Sequence, residues 1–372
     1  MRMTKQWVTL LVALGFLLFC GVSLAMSWRA WRTLSQAGWR PDQIRVSLGS
    51  GESAAITQTL EIPGSAPRKL VLEAGFGDVK LRGGDGTDLR VRLTKRAERG
   101  SRTEAEAAAK ALQVEVVRDG DLLRLISPPQ PTRQGGLHLG SMNADRIDYD
   151  ISLPAGTEVD LGLEAGGLDL EGLRAAATVR SSFGDLRLRR VQGAVSAELG
   201  SGSIDAAEIG SEAAAVSLKS RFGDVRASDV RGALTLRTES GALSAKRVQA
   251  GRGAVILESR FGDIDLEDIT AGDLTVENQT GSTDLTRIRA AGRLTLTGRF
   301  GDQRLSDVDA ASALLEHGSG GLDWSKGRIK TRLEITGGLG DIALSDVLGA
   351  TMTVTGGQSG NVRIGLPAEG RD

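Results

Sequence analysis

Between residues 160 and 366 the apolar positions fall into short runs of period two, broken at regular intervals by glycine. The stretch starting at Val255 shows the grammar. Val255 and Leu257 alternate with outward residues, Gly262 turns the chain, and Ile264 and Leu266 alternate again. The next unit repeats this with Leu274, Val276, Gly281 and Leu285. The segments between units, such as Ala271-Gly272-Asp273, are polar and too short for a helix. Neither strand of a unit can bury its inward face alone, so the units must stack. The pattern therefore predicts an all-β, single-stranded β-solenoid whose strands run parallel from coil to coil.

The repeat is strict. Phe-Gly-Asp occurs at Phe183, Phe222, Phe261 and Phe300, 39 residues apart each time, and Leu339-Gly340-Asp341 follows at the same step. Midway lie Gly202, Gly241, Gly281, Gly320 and Gly360, with Gly166 ahead of the series. The glycines recur at a period of roughly 20 residues, the range of stacked-repeat proteins, giving about eleven coils. A four-strand coil that spans the whole step from Phe to Phe fits the same spacing. With the shorter coil, Phe alternates with Ser or Thr along the stack, which predicts a packing device in which large and small side chains interdigitate. The turn glycines are expected at positive φ, or where neighbouring backbones approach closely.

Asp185, Asp224, Asp263, Asp302 and Asp341 form a column that could hold cations, since calcium takes oxygen ligands. The competing expectation is that each Asp bonds the backbone of its own turn. The units do not match the nine-residue calcium β-roll, and no metal or other cofactor is assigned. Arg221, Arg260 and Arg299, three residues before their Asp, are expected to pair with that column.

Outside the array, residues 44–159 read as an irregular β region that caps one end of the solenoid. It contains ITQTLEIP, a full unit from Leu70 to Leu81, a strand from Leu89 to Leu93 and a hairpin around Asp119-Gly120. Residues 103–112 (TEAEAAAKAL) are the one soluble helix, capped by Ser101 or Thr103. Residues 128–143, with three prolines and three glycines, read as a loop.

Residues 7–26 carry twenty uncharged positions, enough to cross about 30 Å of hydrocarbon as a transmembrane helix. Residues 1–6 form a cytoplasmic n-region, 27–43 a juxtamembrane linker with Trp28 and Trp31 at the interface, and 367–372 a tail. A signal peptide cleaved after Ser23-Leu24-Ala25 is the alternative, and a lipid on Cys20 a weaker one because Phe19 precedes it. Each reading exports the large domain to the cell envelope, on the periplasmic or extracellular side.

Composition narrows the chemistry. The 46 basic and 47 acidic side chains leave a net charge of −1, which argues against nucleic acid as a partner. Cys20 is the sole cysteine, so the chain has no intramolecular disulfide. His138 and His317 stand far apart without a motif and read as solvated surface side chains. No HExxH, P-loop or strand–GxGxxG–helix context is present, so no catalytic residue is assigned. Trp324 is a local exception to the repeat: outward, it could contact a sugar; inward, it fills the core.

The order of LVLEAGFGDVKL, a strand with TKR, a helix, DGDLLRL, ISLPAG and then serial "SG-D-(I/V/L)-x-L" units resembles a bacterial β-strand-repeat family, the putative adhesins (DUF4097), over roughly residues 44–366. The resemblance implies an envelope-associated protein, and some members are linked to envelope-stress responses. The expected function is non-enzymatic: a membrane-tethered β-solenoid presenting a binding, adhesion or scaffolding surface to an envelope protein or glycan. A stress-sensing accessory and a polysaccharide-active β-helix enzyme are the alternatives.

Overall fold

The computed structural model describes residues 52–62, 65–127, 145–356 and 359–365. The n-region, the apolar stretch 7–26, the linker 27–43, the loop 128–143 and the tail 367–372 lie outside the described residues. Among the described residues no helix is long and apolar enough to cross a membrane.

The described chain has 25 strands and one α-helix. From Glu158–Ala165 to Ile264–Ala271, each strand pairs in parallel with the strand two places along, not with its sequence neighbour. Two ladders result, one on each flank of a narrow core. The first runs through Ala177–Phe183, Val195–Ser201, Val216–Phe222 and Leu234–Ser240. The second runs through Leu186–Val191, Ile204–Gly210, Val225–Arg231 and Leu243–Gln249. From Thr283–Phe300 on, single long strands pass through one corner of the coil and contribute to both ladders. Phe183 stands beside Ser201, and Ser201 beside Phe222. One coil is therefore two strands long, and the step from Phe to Phe spans a pair of coils.

Inward residues are aliphatic because each strand buries alternate positions. Leu188, Ala206, Ala227, Ala245 and Leu266 form one continuous inward column, each 2% exposed or less. At the turn, Gly223 has φ 143°, and a Cβ there would lie 2.2 Å from the carbonyl oxygen of Gly202 in the preceding coil. Glycine is required on both counts.

Residues 52–154 complete one end. The coil Lys69–Phe76 and Val79–Gly84 joins the stack beside Glu158–Ala165 and Leu168–Glu171. Antiparallel strands then extend both ladders: Glu52–Leu60 on Arg90–Arg99 on Arg146–Pro154, and the hairpin Glu115–Asp119 with Leu122–Ile126. The helix Arg102–Ala111 buries Ala105 and Ala109 against the first two of these strands. Its cap is Ser101, whose side chain accepts from the backbone N–H of Glu104.

Candidate interaction surface

The strand Val216–Phe222 shows how the first ladder builds its outer face. Val216, Leu218 and Ser220 are buried, Ser217 and Lys219 are half-buried, and Arg221 and Phe222 are both exposed. Two successive outward residues occur because the chain is already turning toward Gly223. The same geometry places Phe183, Phe222, Phe261, Phe300 and Leu339 in one outer column, each between 51% and 63% exposed. Ser201, Ser240, Thr280 and Ser319 stand between them in register.

The expected alternation of large and small is thus present, but it faces solvent. The rings do not fill the interior, which corrects the expected packing role. Large apolar side chains in a line, at two coil spacings of about 4.8 Å each, are an exposed apolar feature of the kind that marks contact sites. Beside them an open groove of about 1070 Å³ runs from Glu73 to Gln279 along the same face.

Charge on this face is ordered too. Along the stack, the central outward position is Arg180, Glu198, Lys219, Arg237, Glu258, Glu277, Thr297 and Glu316 in turn. Arg237 donates to Glu258 at 2.8 Å. In the next column Arg221 and Arg260 both approach Glu239, at 3.8 and 3.6 Å. The expected pairing of these arginines with the Asp column is therefore replaced by pairing with glutamate. Arg226 and Arg304 take the Asp partners instead, with Asp224 at 2.6 Å and Asp302 at 3.0 Å.

The Asp column is a set of braces between coils. Asp185 accepts from the N–H of Ser203 at 2.8 Å, Asp224 from Ala242 at 2.9 Å, and Asp263 from Ser282 at 2.8 Å. Asp302 and Asp341 do the same to Gly321 and Asn361. Each carboxylate bonds the turn of the next coil rather than its own. The five stand two coils apart, and among the described residues no group of three potential metal ligands comes together.

The second ladder carries a feature that the sequence reading missed. Arg190, Glu208, Asp229, Arg247, Asp268, Arg287, Asp307, Lys326 and Asp346 all have φ between 53° and 58°. Each sits where the period of two slips: in Val225–Arg231, Val225, Ala227 and then Val230 are buried. The spacing Leu-x-Leu-x-x-Val was the available signal. Their charges pair along the column, as in Arg247 with Asp229 at 2.6 Å and Arg287 with Asp268 and Glu267 at 2.5 Å. The Arg247 hydrogen bond holds Asp229 below the ordinary carboxylate range, and Arg287 does the same to Asp268. Arg190, Asp229, Arg247, Asp268, Arg287 and Asp307 thus have ionic partners on this face.

The histidine expectation needs correction as well. His138 lies outside the described residues. His317 is buried at an inward position, between Gly298 and Gly337 in register, and neither ring nitrogen has a hydrogen-bond partner. Burial pushes its pKa below the ordinary value. Trp324 also points inward. It is fully buried between Leu305 and Leu344, so it offers no surface to a sugar.

Several solved structures are similar to this chain. One described as a putative cell adhesion protein from Clostridium sporogenes is 14% identical, with 61% of this chain and 100% of that chain covered and a TM-score of 0.32. A putative adhesin from Bacteroides fragilis is 11% identical, with 83% and 96% covered and a TM-score of 0.24. A putative lipid binding protein from Parabacteroides distasonis is 14% identical, with 84% and 98% covered and a TM-score of 0.28. No curated protein matches the chain. The resemblance read from the sequence is nonetheless met by a family match: residues 227–372 fit the family described as Toastrack DUF4097.

Proposed function

We propose that this chain is a non-enzymatic protein of the cell envelope, tethered to the membrane by residues 7–26, whose β-solenoid presents the first ladder as a contact surface for binding or scaffolding. The observation that carries this reading is the exposed column Phe183, Phe222, Phe261, Phe300 and Leu339. A stable fold gains nothing from apolar rings held in water, and the opposite face shows that the same stack can be built with charged side chains there. Its mechanism is extended contact along a straight face, as stacked repeats offer.

A photo-reactive amino acid at position 261 of the full-length chain, expressed in bacteria, tests this against one at position 226 on the other ladder. Covalent adducts are expected from 261 and not from 226. Equal adducts from both positions, or none from 261, would overturn the contact surface. Release of reducing sugar from envelope polysaccharide by the purified chain would overturn the non-enzymatic reading.

A further inference from the structure

We infer that the first-ladder face binds a second copy of this chain, with the two stacks antiparallel and the two-fold axis between the coils of Ser240 and Phe261. This rests on the contact-surface reading and names the partner of that surface. The argument begins with shape. A column of knobs at every second coil is complementary to itself when it is reversed and offset by one coil. An antiparallel pair about that axis sets Phe261 of each copy against Ser240 of the other. It likewise sets Phe222 against Thr280, Phe300 against Ser201, and Phe183 against Ser319, so every large residue meets a small one. A parallel pair related by an axis along the stack and through this column would set Phe against Phe.

Charge selects the same register independently. Reversing the central outward column about that axis places Arg237 against Glu258, Lys219 against Glu277, and Arg180 against Glu316. Glu198 meets Thr297, and no like charges face one another. In the neighbouring column Glu239 meets Arg260, Arg221 meets Gln279, and Arg299 meets Gly200. Near the axis, the pair Arg237–Glu258 of one copy, 2.8 Å apart, would meet its own image and close a ring of alternating sign. The pair Arg260–Glu239 does the same beside it.

Other registers fail. Moving the axis by one coil preserves the large–small fit but opposes Glu258 to Glu277 in one direction. In the other direction it opposes Lys219 to Arg237. Like charges brought face to face are penalised strongly enough to exclude wrong pairings.

Size fits as well. From the Phe183 coil to the Ser319 coil, at about 4.8 Å per coil and seven residues of about 3.3 Å across, the face is roughly 900 Å² per copy. A stable interface of ordinary size takes about 800 Å² per partner. Two such faces would pack as aligned sheets about 10 Å apart.

Lys219 and Glu277 supply the test, because they stand three coils apart, roughly 14 Å, and do not pair within one chain. Sedimentation velocity of the full-length chain in detergent micelles should show a dimer. Lys219→Glu should weaken it by about tenfold or more, since the symmetry places two repulsive pairs in each dimer. Lys219→Glu combined with Glu277→Lys should restore it, with the far-UV circular dichroism spectrum unchanged in both variants. A monomeric wild type, a dimer indifferent to Lys219→Glu, or a double variant that stays apart would overturn the pairing. If the wild type is monomeric while position 261 still yields adducts in the envelope, self-pairing fails and the contact surface stands. If the adducts vanish too, both fail.

Discussion

Two stretches of one stack fill the same interior by different means. From Val216 to Val276 the inward columns hold Val, Leu, Ile and Ala, with a small hydroxyl at the position before the turn. Ser220, for example, donates to the Gly202 carbonyl at 2.7 Å. From Thr283 to Leu344 the same columns admit Gln303, His317 and Trp324. Each oversized side chain there has a glycine where its neighbours would otherwise crowd it. A Cβ at Gly327 would lie 2.6 Å from Trp324 Nε1, and one at Gly337 would lie 2.7 Å from His317 Nε2. One at Gly298 would lie 2.3 Å from Gln303 Nε2. In register, Gly327 occupies the place held by Val308 and Val347 in adjacent coils. The coil geometry thus holds volume per layer constant rather than residue type, because a close-packed interior tolerates redistribution better than excess.

The largest expected effect tests that exchange directly. Gly327→Val should cost about 3 kcal/mol by overpacking, read as a fall in the denaturant midpoint. Trp324→Leu alone should cost roughly 2 kcal/mol through the void it leaves. Combined, the two should recover most of the loss, since they rebuild the layer of the regular stretch. Additive losses would show that the two sites are not coupled.

A smaller effect is expected one column away. Gly337→Ser restores the residue found at Ser220 and Ser259, yet should cost about 1–2 kcal/mol beside His317. In a His317→Ser background most of that cost should vanish, leaving the contact with Ile342 Cδ1, 2.9 Å from the added Cβ.

The smallest effect appears only on acidification. Burial holds the His317 pKa below its ordinary value, so the fold prefers the neutral ring. As pH falls below about 6.5, the unfolded chain takes up the proton first, and stability declines toward the folded-state pKa. Wild type should lose melting temperature between about pH 7 and pH 5 faster than His317→Gln does. Parallel profiles would remove His317 as the cause.

The regular stretch was legible in the sequence because its signals are local: glycine fixes the turn, and alternation fixes the inward face. What escaped reading lies where alternation breaks. Arg221 and Phe222 point outward in succession at the corner, so period-two counting could not place the ring. His317, in EHGSGG, stands among glycines and carries no sign of an inward place. The turn begins at Gly320, and His317 takes the inward place of Ser220. Asp after Gly points to a bond within its own turn, and nothing in a single unit reveals that the recipient N–H belongs to the next coil instead.

The outer column of Phe and Ser also has a parity. Odd and even coils differ systematically at that place, so the array can be lengthened or shortened two coils at a time without disturbing the beat. Removal of a single coil would bring two rings, or two hydroxyls, side by side at the junction and invert the sequence of large and small beyond it. The unit that can be duplicated without damage is therefore twice the unit that folds.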